Sequence, residues 1–300
     1  MKKSLFKIAA LAALAPAILS CSKEAVQDSP AATINGKVLT SFNAKIGDSS
    51  DTRLLLSEAD GKLLWEPGDE ASIYGGGKHA RFSVDADKPA GTATFTGSLD
   101  ISDMGEDEYY YCIHPAFYDN QYVPCFYNDG VLTVPVTNGY FDAEFEGNYW
   151  FVMEGYPHVL PPDGCFPMVA RSKDTNFSFY NVCGGLKITV ARDDLFFIKI
   201  TNNDGGMLWG YMDVEFGEDG IPVFRRMWAP DEVQQEFEEY GVSFAEFLFS
   251  GDAGSIEPGE PYYLALPPIT FTQGMTVTYR TATKEAVYEV PGSFSIERSV

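Results

Sequence analysis

The hydrophobic pattern of this 300-residue chain falls into three regimes. The first is an unbroken apolar run from Ile8 to Leu19, preceded by Lys2, Lys3 and Lys7 and closed by Ser20-Cys21. That layout predicts a secretory leader over residues 1–20, too short to span a bilayer comfortably. A small residue directly before a cysteine, with Ile18 three positions ahead of it, is the sequence that lipoprotein signal peptidase reads, so Cys21 is expected to become the acylated N-terminus. Several acyl chains on one residue suffice for durable anchoring in the outer membrane. The second regime, residues 21–32, is polar, with Asp28, Ser29 and Pro30, and reads as a flexible tether.

From Thr33 onward the dominant period is two. Ile34, Val38, Phe42, Ala44 and Ile46 alternate with Lys37, Ser41, Asn43 and Lys45, the pattern of a half-buried strand. Similar runs follow at Leu63–Trp65, Glu70–Tyr74, Ala80–Val84, Thr92–Gly97, Tyr109–His114 and Val131–Val136. A second set comprises Met168–Ala170, Phe177–Val190, Phe196–Asn202, Gly210–Phe216, Pro261–Leu266, Met275–Thr281 and Ala286–Val290. Gly, Asp, Asn and Pro punctuate both sets, which predicts an all-β protein of sandwich type. The Pro- and Gly-rich stretch Tyr156–Gly164 divides the chain into expected domains at 33–158 and 165–300. One segment has helical character: Asp231–Tyr240 places Val233, Phe237 and Tyr240 on one face, a short insertion between strands. Gly184-Gly185 between two strand segments predicts a bulge or a close backbone approach.

Composition narrows function. Loss of Lys2, Lys3 and Lys7 with the leader leaves 18 basic against 43 acidic residues, a formal charge of −25, so nucleic acid and anionic lipid surfaces are excluded as partners. Beyond Cys21 stand Cys112, Cys125, Cys165 and Cys183. Cys112 and Cys125 lie in neighbouring strand-like segments and are the expected disulfide pair; Cys165 and Cys183 read equally well as small buried thiols. His79, His114 and His158 are widely separated and no CxxC occurs, so the chain offers no metal site and no cofactor motif. Acidic pairs such as Glu144 and Glu146, or Glu106, Asp107 and Glu108, are indistinguishable from a solvated surface, and a protein without enzymatic activity is expected.

Several stretches carry a family resemblance: Thr52-Arg53, the turn Ala59-Asp60-Gly61 leading into LLWEPGDEASIYGG (Leu63 to Gly76), ATFTGS (Ala93 to Ser98), YYYCIHP (Tyr109 to Pro115), FYNVCGGLKITV (Phe179 to Val190) and PYYLALPP (Pro261 to Pro268). Taken in order they resemble the fimbrillin family, lipoprotein subunits and anchors of type V pili and related surface proteins of Gram-negative anaerobes. Ser22-Lys23-Glu24 behind the cysteine is similar to the export signal some of these organisms use. The resemblance implies two tandem transthyretin-like β-sandwiches on a surface-exposed outer-membrane lipoprotein. It also implies adhesion or fimbria assembly and anchoring, with other fimbrillin-type subunits or surface receptors as partners. In polymerising members a trypsin-like protease cuts after an arginine following the first strand, that strand leaves, and a strand of the next subunit takes its place. Here the first strand is Ile34 to Ile46 and the matching position is Arg53, the only arginine between Cys21 and Arg81. Residues Ser293 to Val300, which resemble the start of a strand, depart from the family pattern, and that favours an anchor, a cap or a non-polymerising surface protein over a shaft subunit. The alternative reading is a surface glycan-binding lipoprotein of a nutrient-uptake system, with Trp150, Trp209 and Trp228 as stacking platforms.

Overall fold

The computed structural model describes residues 34–35, 37–47, 64–105, 108–116, 127–136, 166–189, 191–231, 234–235, 243–250, 258–259 and 261–298. They form an all-β protein of several sheets, one of them closed. Seven strands make the closed sheet: β2 (Val38–Ile46), β3 (Glu70–Gly75), β4 (Lys78–Val84), β5 (Thr92–Asp100), β6 (Tyr110–His114), β9 (Met168–Ser172) and β10 (Asn176–Asn181). The order around the wall is β2-β10-β9-β6-β3-β4-β5, and β5 returns to β2, so the barrel has no open edge. The short β1 (Ile34–Asn35) folds back antiparallel on the start of β2.

Rings fill the barrel. Phe42, Trp65, Phe82, Phe95, Phe177 and Phe179 are all fully buried there, together with Leu39, Ile73 and Leu99. One part of the wall is buried on both faces. In β6, Tyr110 and Cys112 point into the barrel, while Tyr111 and Ile113 join a second cluster with Leu132, Val134, Val136, Met212 and Val214. That second cluster is the underside of a four-stranded sheet, ordered β14-β13-β8-β7, built from β7 (Tyr127–Asn128), β8 (Val131–Val136), β13 (Gly210–Phe216) and β14 (Pro222–Trp228). A strand covered on both sides needs no polar face, which is why Tyr109 to Ile113 reads as a continuous apolar run.

The remaining strands form a layered unit around a third cluster of Leu195, Ile198, Ile200, Leu208, Leu264, Leu266, Phe271 and Val277. One layer is the sheet β15-β12-β18-β19, with β12 (Leu195–Asn202), β15 (Glu246–Ser250), β18 (Met275–Thr281) and β19 (Glu285–Val290). Two strand pairs pack on it: β11 (Gly184–Thr189) with β16 (Pro261–Leu266), and β17 (Ile269–Phe271) with β20 (Phe294–Ile296).

Several expectations change in the structure. The segment Phe177–Val190 is not one strand: it breaks at Val182 and Cys183, leaving β10 in the barrel and β11 in the layered unit. Gly184 marks that change by close approach, because a Cβ there would overlap the carbonyl oxygen of Glu297 and Cγ2 of Ile296. β9 and β10 pair with β6 and β2, while β8 pairs with β13. Of the strand expected at Leu63–Trp65, Leu63 lies outside the described residues, and Trp65 forms an isolated bridge with Ala90. Of the helix expected at 231–240, Asp231, Gln234 and Gln235 are helical, and the rest lies outside the described residues. β14, β15 and β17 were not apparent from the pattern.

Candidate functional site

The resemblance directs attention to the first long strand, so the geometry of β2 is the place to begin. It is the seam that closes the barrel. On one side it runs antiparallel to β5, from Val38 opposite Asp100 to Lys45 opposite Thr92. On the other it runs parallel to β10, with Asn43 to Ile46 alongside Asn176 to Phe179. Backbone bonds beyond the ladder tie down this half: Asn43 N donates to Thr175 O at 2.8 Å, and Gly47 N to Phe179 O at 2.7 Å.

Side chains lock the seam from both faces. Inside, Leu39, Phe42 and Ala44 are buried, and the Phe42 ring lies 4.9 Å from Phe95 in a parallel stack, 4.8 Å from Phe177 and 5.3 Å from Phe82. Outside, Asn43 bridges the two neighbouring strands. Its Nδ2 donates to Asn176 Oδ1 at 3.1 Å, and its Oδ1 accepts from Thr94 Oγ1 at 3.2 Å. Strict alternation from Val38 does not hold. The pairing slips between Leu39 and Ser41, so Leu39, not Val38, enters the core, and the alternation resumes in phase at Phe42.

The residues singled out by sequence fare differently. Cys21, Arg53 and Cys125 lie outside the described residues, as do Trp150, Cys165, His158, Glu106, Asp107, Glu144 and Glu146. Cys112 is fully buried inside the barrel, where burial pushes its thiol well above the ordinary range. Trp65, within the turn motif, is a core residue, edge-on to Phe95, Phe179 and His114 at about 5 Å. The following Glu66-Pro67-Gly68-Asp69 is a structural turn: Asp69 N donates to Glu66 O, Glu66 N donates to Asp69 Oδ2, and Gly68 takes a positive φ of 89°.

Neither described tryptophan candidate presents a free indole. Trp209 Nε1 donates to Glu246 O at 2.9 Å, and its ring stacks on Phe244 at 4.2 Å. Trp228 Nε1 donates to Asp213 Oδ1 at 2.8 Å. Asp213, largely buried, also accepts from Thr133 Oγ1 and pairs with Arg226 at 2.7 Å. This network clips β8, β13 and β14 together and is structural. Among the described residues no group of three or more His, Cys, Asp or Glu side chains is arranged to hold a metal ion.

β19 matches the strand expected at Ala286–Val290. The pattern shows its apolar alternation but not that both its faces stand open, with Val287 57% and Tyr288 61% exposed.

No family model and no curated protein matches the chain. Solved structures to which the chain shows similarity include a candidate cell adhesion protein of Bacteroides ovatus, 8% identical, covering 85% of this chain and 87% of that one, with a TM-score of 0.45. Another is a candidate cell adhesion protein of Bacteroides uniformis, 14% identical, covering 84% and 85%, with a TM-score of 0.42. A third is a fimbrial assembly protein of Parabacteroides distasonis, 8% identical, covering 84% and 98%, with a TM-score of 0.27.

Proposed function

We propose that this chain is a surface-exposed fimbrillin-like lipoprotein, held in the outer membrane by acylated Cys21, that acts in adhesion or in fimbria assembly and anchoring through β-strand addition. The observation that carries the reading is the position of β2. β2 is the first long strand of the chain and a wall strand of the closed barrel, so its loss would open the barrel and uncover the edges of β5 and β10 and the rings of Phe95, Phe82 and Phe177 between them. A strand of the same alternation from another subunit would satisfy the same ladder. Arg53 follows β2 in sequence and is the proposed processing position. We read the barrel and the layered C-terminal sheets as the two tandem β units of such a protein. No chemistry is assigned to it.

The test is intact-mass and N-terminal analysis of the protein shaved from cell surfaces, beside the same protein after limited digestion with a trypsin-like protease. The expected result is a lipid-modified Cys21 before cutting, and afterwards a new N-terminus at Leu54 accompanied by SDS-resistant ladders. Cleavage at Arg53 without ladders would remove strand addition from the reading, and an unmodified Cys21 would remove the anchor.

A further inference from the structure

The second open question lies at the far edge of the layered unit. Among the described residues β19 pairs on one side only, with β18, and ends its sheet. Five of its six residues are exposed, and Val287 and Tyr288 are the most exposed large apolar side chains described. Edge strands ordinarily carry protection against pairing. β14, the other edge with exposed aliphatic side chains, has it: Arg225 and Arg226 stand on that strand, paired with Glu215 and Asp213. β19 carries no cation, proline or bulge, its charges are the acidic Glu285 and Glu289, and its register with β18 is unbroken.

The register fixes which groups are on offer. The hairpin between β18 and β19 closes with Thr281 N donating to Lys284 O, so Lys284, Ala286, Tyr288 and Val290 turn their backbone groups toward β18. The N–H and C=O groups of Glu285, Val287 and Glu289 therefore point outward. Their side chains share one face, where Glu285 pairs with Arg280 and Glu289 accepts from Thr276. A second copy in full antiparallel overlap pairs outward residues with outward residues, setting Glu285 against Glu289 twice, and like charges directly opposite destabilise a ladder. The edge instead suits an incoming strand with a cation opposite each glutamate and an aliphatic residue between them, opposite Val287. The formal charge of −22 steers such a strand toward the molecule.

We propose that β19 is a docking edge for an extended basic segment of a partner protein, with cationic, aliphatic and cationic residues at alternate positions, added to the sheet as a fifth strand. This site is independent of β2 and stands whether or not that strand exchanges.

The probe is a synthetic peptide, Thr-Lys-Ile-Val-Ile-Lys-Thr, with its Glu-for-Lys counterpart as control, titrated into the full chain and followed by calorimetry and by amide exchange in β19. The Lys peptide is expected to bind and the Glu peptide to bind at least about tenfold more weakly, with affinity falling as salt rises. Val287→Pro deletes an outward N–H that β18 does not use, so it should abolish binding while leaving the thermal midpoint near that of the parent. The double variant Glu285→Lys, Glu289→Lys should reverse the peptide preference. Failure of the Lys peptide to bind at millimolar concentration, or equal binding of both peptides, overturns the proposal. So does a concentration-dependent dimer abolished by Val287→Pro, which would assign the edge to a second copy.

Discussion

Replacing Phe42 by alanine tests whether β2 is held chiefly by its ring in the barrel. Phe42 is fully buried and packs against three other phenylalanines at centroid distances of 4.8 to 5.3 Å. Truncating a buried phenylalanine costs about 3–5 kcal/mol, combining lost transfer energy with the cavity left behind. The upper half of that range applies here, because a closed barrel cannot easily collapse into the gap and the lost stacked pair adds about 0.5–1.5 kcal/mol. At about 2–4 °C per kcal/mol for a unit of this size, the thermal midpoint should fall by about 8–20 °C. The exposed control Val287→Ala should move it by less than about 2 °C, as surface substitutions usually change stability within about 0.5 kcal/mol. Scanning calorimetry of parent and both variants reads the difference directly. A Phe42→Ala midpoint within about 3 °C of the parent would refute the reasoning, since β2 would then be held by its backbone ladder and not by the buried ring.

Three further outcomes follow from particular contacts. Gly184→Ala pushes a methyl group into Glu297 and Ile296, so it should destabilise by about 1–3 kcal/mol and expose the chain beyond Val290 to protease; an unchanged urea midpoint would contradict the contact. Asp204 accepts from Thr272 N, Thr272 Oγ1 and Gln273 N, and these bonds hold its carboxyl below the ordinary 3.8. A depressed folded value means the carboxylate's contribution is fully present above 3.8 and is lost as pH falls below it, so Asp204→Asn should flatten the acid limb of a urea-midpoint profile below 3.8. Cys112, sealed in the barrel with its thiol pushed up by burial, should resist iodoacetamide in the native state, and rapid native labelling observed by mass spectrometry would place it elsewhere.

The strands were legible in the sequence because period-two alternation is local. β3, β5, β12, β13, β18 and β19 all fall within the segments expected, give or take a few residues at the ends. Their partners were not legible, because register and closure are set by distant residues. Nothing in VLTSFNAKI says that it pairs antiparallel with Thr92–Asp100 and parallel with Asn176–Asn181. The same blindness affected β10 and β11, whose apolar residues run together in sequence although a change of sheet separates them. β14 escaped notice because Arg225 and Arg226 interrupt its alternation, yet those arginines pair with Glu215 and Asp213 on β13 and stay compatible with a strand. Of the candidate site, the sequence marked β2 by its alternation, but only the barrel's closure gives that strand its meaning as a seam.

The seam also sets the order in which strand exchange can occur. Burying Leu39 and Phe42 contributes about 1.5–3 kcal/mol each, before Ala44 and the ladder on two sides are counted, so releasing β2 costs about 5 kcal/mol or more. That is comparable with the entire stability of an ordinary domain, and it limits the spontaneously open fraction to on the order of 10⁻⁴. A cut at Arg53 changes connectivity but none of these contacts. The cleaved N-terminal piece should therefore remain seated, co-eluting with the rest of the chain in size-exclusion chromatography under native conditions and separating only in denaturant. In the strand exchange proposed above, a replacement strand would have to compete residue by residue along β5 or β10, which would make that exchange slow and concentration-dependent. Prompt loss of the piece on cutting would show that the buried ring and the double ladder do not hold β2, and would count against the seam as the element that governs assembly.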